Sequence, residues 1–156
     1  MENTARNDEG FGFVEEDTQK DKYLTFSLAE EVYAIDISYV TEIIGILKIT
    51  KVPGMPPFIK GVINLRGKVI PVMDVRARFK LPARDYDERT CVVVVNVADN
   101  VMGLVVDHVN EVMDIPVSQV EPPPAVNANG GGKYVKGIGK VDGEVIILLE
   151  VECLLG

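Results

Sequence analysis

The chain repeats itself once, and a duplicated sequence encodes one supersecondary unit twice, which excludes most folds. The run from Ser27 to Ile44 matches Asn96 to Met113 at an offset of 69, with Ala29/Ala98, Val32/Val101, Val40/Val109 and Glu42/Glu111 as identical pairs. Further on, Ile59 to Val75 matches Val135 to Val151 at an offset of 76, with six of seventeen positions identical. The offset grows by seven because the second unit carries a longer loop, Glu121-Pro-Pro-Pro-Ala-Val-Asn-Ala-Asn-Gly-Gly-Gly132.

Each unit reads as β. Tyr23 to Leu28 and Thr90 to Val97 are rich in β-branched and aromatic residues, and each is followed by a short polar turn and a second apolar run, which predicts a hairpin. Arg66-Gly67 and Asp142-Gly143 are two-residue turns between apolar runs, and Asp-Gly is a strong type I′ signal. Ser38 and Asp107 are matched N-cap types, so one helical turn is expected at Ser38 to Thr41 and at Asp107 to Asn110. Asp74 and Glu150 stand where a strand should pass into a short helix, Val75 to Phe79 and Val151 to Leu155. About five strands per unit suggest an all-β protein of two small barrels packed together. Val32, Ile35, Val69, Val72, Val101, Leu104, Val145 and Leu148 are expected to face a barrel interior or the seam between barrels.

Length and charge narrow the classes of function. With 156 residues, 47% hydrophobic and 26% charged, the chain is long enough for one real core. Its net charge of −8 repels phosphate backbones, which argues against nucleic acid as a partner. Residues 1–21 hold seven acids (Glu2, Asp8, Glu9, Glu15, Glu16, Asp17, Asp21) against Arg6 and Lys20, and have few large apolar residues. This segment reads as a largely disordered acidic tail that is neither a signal peptide nor a membrane span. Cys91 and Cys153 form no disulfide framework and, as small core hydrophobes, are expected to be reduced thiols of a cytosolic protein.

Catalytic chemistry finds few groups to work with. Asp36, Asp74, Asp107 and Glu150 could pair as carboxylates, and a small hydrolase using Asp36 and Asp107 is one alternative, but the repeat explains three of the four as caps or first-turn charges. His108, the single histidine, matches Tyr39 and reads as a partly buried structural residue. The glycines of Gly61 to Gly67-Lys68 resemble a phosphate loop, yet the spacing is one residue too long and Val69 replaces the required Ser or Thr. No cofactor or metal site is indicated. What the duplication leaves unexplained is Arg66, which opposes Asp142 in charge at the tip of an equivalent hairpin and belongs to the side-chain type most enriched in interaction hot spots.

Around this turn, Phe58-Ile-Lys-Gly-Val-Ile-Asn-Leu-Arg-Gly-Lys-Val-Ile-Pro-Val-Met-Asp-Val75 resembles the central signature of the CheW family of bacterial chemotaxis adaptors, and Val101-Met-Gly-Leu-Val-Val-Asp-His-Val-Asn-Glu-Val112 its second. The resemblance covers about Lys22 to Gly156. It implies one CheW-like domain, 22–156, made of two SH3-like five-stranded barrels: subdomain one at about 22–84, subdomain two at about 90–149, then a C-terminal helix at 150–156. It also implies a non-catalytic scaffold that couples the cytoplasmic tip of chemoreceptors to the histidine kinase CheA, whose regulatory domain shares the fold and alternates with CheW in rings. Such a protein would be monomeric when isolated, would not insert in the membrane, and would be recruited from the cytoplasm to receptor arrays. Receptor contact carries over to Arg66, Val40 and Glu42, and further to Thr90, Cys91 and Gly103; ring contact carries over to Glu121 and Val126, where some members have a basic residue and an aromatic. A CheA-type regulatory domain is the rival within the same fold.

Overall fold

The computed structural model describes residues 20–123 and 134–155. Eleven strands appear in chain order: β1 Lys22–Leu28, β2 Glu31–Asp36, β3 Val40–Gly45, β4 Ile59–Leu65, β5 Lys68–Asp74, β6 Cys91–Val97, β7 Asn100–Val106, β8 His108–Asp114, β9 Val120–Glu121, β10 Val135–Val141 and β11 Glu144–Leu149. Short helices Val75–Arg78 and Val151–Leu155 follow β5 and β11, as the repeat predicts. Asp74 caps the first of these with its carboxylate, which accepts from the Arg76 and Ala77 N–H groups.

The strands form a five-stranded sheet, ordered β3-β6-β7-β5-β4, and a six-stranded one, ordered β8-β1-β2-β11-β10-β9. Replacing each strand of the first by its repeat partner gives β8-β1-β2-β11-β10, the second sheet without β9. The correspondence reaches single residues: Val72 lies opposite Gly103 in the parallel β5–β7 pair, as Leu148 lies opposite Ala34 in β11–β2. Turn geometry repeats too, since Arg66 and Gly67 have φ of 53° and 86° and Asp142 and Gly143 have 52° and 82°. Each sheet thus supplies the five strands of one SH3-like barrel.

The barrels do not follow the two halves of the sequence. Hairpin β1–β2 of the first half completes the sheet of β8, β10 and β11, while β6–β7 of the second half completes that of β3, β4 and β5. The expected division into contiguous subdomains, 22–84 and 90–149, is therefore corrected to two barrels that have exchanged their first hairpins. The repeat shows that the units are equivalent, but either copy of a hairpin satisfies the same edge, as in domain swapping.

Three apolar clusters result. Val92 and Val94 of β6 point into one barrel with Ile63, Ile70, Val72 and Val105, while Val93 and Val95 point into a seam shared with Leu24, Phe26, Leu28, Ile35, Met73, Leu104 and Leu149. The other barrel encloses Tyr23, Ala34, Ile115, Ile146 and Leu148. A strand buried on both faces needs no polar alternation, which explains the run Cys-Val-Val-Val-Val. Arg78 closes the seam: its guanidinium lies 4.2 Å from the Phe58 ring and 4.9 Å from the Tyr134 ring, two repeat partners, and its Nε donates to the Leu154 carbonyl at 3.1 Å.

Other expectations change as well. Val69 and Val145 are 64% and 55% exposed, because alternation along β5 and β11 turns their neighbours Ile70 and Ile146 inward. Asp36, not Ser38, caps a 3-10 turn at Ile37–Tyr39, and Asp107 forms a bend between β7 and β8 with no helical turn after it. Cys153 is exposed on the terminal helix, whereas Cys91 is half-buried. Of the acidic segment 1–21 only Lys20 and Asp21 are described, and the Asp21 carbonyl accepts from the Ile115 N–H at 2.8 Å.

Candidate functional site

The Asn64-Leu65-Arg66-Gly67 turn is built to hold a side chain still. Arg66 adopts the left-handed conformation that a type I′ turn requires, and the Asn64 Oδ1 accepts from the Gly67 N–H at 2.8 Å. Two paired strands back it, with Ile63 opposite Ile70 and Leu65 opposite Lys68. The Arg66 side chain is 68% exposed, and its Nη2 forms an ion pair with the Glu42 Oε2 on β3. That pair bridges two outer strands of the sheet, and being exposed it contributes about 0–1 kcal/mol to stability. Its effect is orientation: Glu42 fixes where the guanidinium points.

The expected contact residues are brought together only in part. Arg66 and Glu42 touch, and Val40 lies on the same strand as Glu42, half-buried and opposite Val95. Cys91 pairs with Gly45, at the other end of β3 from Val40, and its Sγ lies 3.4 Å from the Arg89 carbonyl. Thr90 is buried, its Oγ1 accepting from the Asp87 N–H at 2.8 Å, so it shapes the loop before β6. Gly103 faces the barrel interior, where an added Cβ would come within 2.7 Å of Val92 Cγ1. Glu121 lies on β9, ion-paired with Lys140 at 2.6 Å, while Val126 lies outside the described residues.

Exposed apolar residues on β3 and in the loop after it carried no clear signal in the sequence. Ile43 and Leu47 are 43% and 38% exposed, on β3 and just after it, with Val52 and Met55 in the loop to β4. Only the accumulation of apolar residues in Leu47 to Met55, a segment too rich in proline and glycine to be a strand, could have marked them.

The carboxylates considered for hydrolysis do other work in separate places. Asp36 accepts from the Ser38 N–H at 2.9 Å, and Asp74 accepts from the Tyr86 hydroxyl at 2.8 Å. Asp107 is gripped by Arg76 through two bonds of 2.8 Å, and also receives Arg84 at 3.2 Å and the Ala29 N–H at 2.9 Å. Burial raises the Asp107 carboxyl, but those donors and the charges of Arg76 and Arg84 outweigh it and hold the group below the usual carboxylate range. Gly61 serves no phosphate: at φ 145° it lets Thr50 pair with Val62, and a Cβ there would lie 2.1 Å from the Thr50 carbonyl oxygen. Among the described residues no cluster of three His, Cys, Asp or Glu could hold a metal, and no helix is long and apolar enough to cross a membrane.

A family model described as the CheW-like domain matches residues 22–156. The chain is 38% identical over 139 residues to a chemotaxis protein CheW of Klebsiella aerogenes, covering 89% of this chain and 84% of that one. It is 33% identical to CheW of Thermotoga maritima over 135 residues, with 85% of each chain covered. The crystal structure of the scaffolding protein TtCheW from Thermoanaerobacter tengcongensis superposes with a TM-score of 0.76 at 41% identity, over 83% of this chain and 88% of that one.

Proposed function

Given that the chain belongs to the CheW family of non-catalytic chemotaxis adaptors, we propose that it couples chemoreceptors to the histidine kinase CheA, with the Arg66 turn as a receptor contact. The observation that carries this reading is the Arg66–Glu42 pair on a rigid hairpin tip. A guanidinium already oriented by a neighbour loses little freedom on binding, so more of its hydrogen-bond energy reaches the complex. Val40, half-buried on the same strand as Glu42, offers apolar area that a receptor helix would bury. Kinase and ring contacts would fall elsewhere, with Glu121 on β9 and Val126 as the starting points, and the protein would reach the array from the cytoplasm.

Arg66→Ala tests this. Its exposure predicts a stability change within about 0.5 kcal/mol by calorimetry. Affinity for a receptor signalling fragment should fall by about 1–3 kcal/mol, while CheA binding persists. A variant that unfolds, or binds receptor like the parent, refutes the assignment of this turn.

A further inference from the structure

One of the residues that rim the two barrel interiors lacks a counterpart. Ile44, Ile46, Ile49, Leu65, Val101 and Tyr86 rim the barrel built from the five-stranded sheet. Five of them recur in the other barrel as Met113, Ile115, Val120, Val141 and Val32, with Ile49 matching Val120 because Thr50 pairs with Val62 as Glu121 pairs with Ile138. Tyr86 has no counterpart among the described residues, since the offset of 69 sets it against Asp17. It belongs to the segment leading into β6, and its hydroxyl donates to Asp74 at 2.8 Å. The other barrel has a groove of about 390 Å³ at the matching place. Tyr23, Asp36 and Ile115, the repeat partners of Val92, Val105 and Ile46, line it, and Val117 and Val120 extend its apolar wall.

We propose that Phe13, in the acidic segment leading into β1, folds back into this groove and covers it. The repeat supplies the occupant: the segment before β6 lays an aromatic ring on one barrel, and the segment before β1 is its equivalent on the other. The aromatic residues of that segment are Phe11 and Phe13, with Val14 next to them. The tether supplies the reach. Lys20 and Asp21 themselves line the groove, and the seven residues from Phe13 to Lys20 span up to about 25 Å, which holds the ring near its site at an effective concentration on the order of millimolar. Charge does not select the occupant, because Lys20 and Lys136 line the groove together with Asp21, Asp36 and Glu121. Apolar surface does: Val117 is 73% exposed, more than any other large hydrophobic residue described. Glu121 borders the same groove, so a seated ring shields β9. That consequence rests on the ring contact proposed above, whereas the docking does not.

Methyl NMR of the full chain, compared with the Phe11→Ser/Phe13→Ser double variant, tests the proposal. In the parent the Ile115, Val117 and Val120 methyls should show NOEs to the Phe13 ring that persist on dilution. The double variant should shift these methyls and leave those of Val69 and Val145 in place. A synthetic peptide of residues 9–17, added to the double variant, should return the shifted methyls saturably toward their parent positions. Its Phe13→Ser form should bind at least severalfold more weakly. The double variant should also bind CheA severalfold more tightly than the parent. Absent NOEs, NOEs lost on dilution and so due to a second copy, a peptide that binds equally without Phe13, or equal CheA affinities overturn the proposal. Failure of both proteins to bind CheA refutes the adaptor reading instead, and the methyls still decide the docking.

Discussion

Arg76 and Asp107 form the ion pair on which stability should depend most, because their side chains are only 12% and 9% exposed. Removing one partner of a buried pair strands the other charge, so Arg76→Met should cost about 3–5 kcal/mol at neutral pH in a urea titration. Arg84 and the Ala29 N–H still reach Asp107, which favours the lower end. The pH dependence has a definite sign. A carboxyl depressed by folding contributes stability above its unfolded value of about 3.9, and loses it as pH falls through the folded value. The gap between parent and Arg76→Met should therefore be full at pH 7 and narrow below about pH 4; a constant gap would mean that Arg76 acts through packing alone. The sequence presented Asp107 as a helix cap, since aspartate is a preferred cap type and its real partner lies 31 residues away. By contrast, the place of Arg66 at a hairpin tip was legible, because the repeat sets it against Asp142 in an otherwise equivalent turn.

Elements were read well where one face or both faces of a strand decided their pattern. Truncating Leu104, buried in the seam, to Ala should cost about 2–5 kcal/mol, whereas Val69→Ala should change stability by less than about 0.5 kcal/mol. Similar losses for the two would place Val69 inside the barrel and contradict the register of β5. Val69 shares a face of β5 with Met73, which lies in the seam, so alternation alone allowed it a place there and only the extent of the seam leaves it exposed. Gly103 faces Val92 where the other barrel has Ala34, so Gly103→Ala should overpack the interior by about 1–3 kcal/mol in the same assay. The apolar rim at Ile43 and Leu47 escaped detection because exposure of a β-branched or leucine residue depends on which neighbours the loop brings over it.

At the scale of the molecule, hairpin exchange makes each barrel depend on both halves of the chain. Fragments 20–89 and 90–155 should therefore remain unfolded when separate, by circular dichroism, and recover the native spectrum when mixed; two independently folded halves would contradict the exchange. The family signature and the duplication made the barrels legible, but not their partnering, because equivalent edges accept either hairpin. The same interlocked body is what the adaptor role asks for: the Arg66 turn belongs to one barrel, β9 to the other, and the seam fixes one relative to the other. The most direct test of that role is co-sedimentation of CheA with membrane-tethered receptor fragments, measured with the chain absent, present, or carrying Arg66→Ala. The account predicts that CheA joins the receptors when the chain is present, and that the variant leaves CheA in the supernatant while still binding it in solution. CheA recruited equally by the parent and the Arg66→Ala protein, or without either, would contradict it.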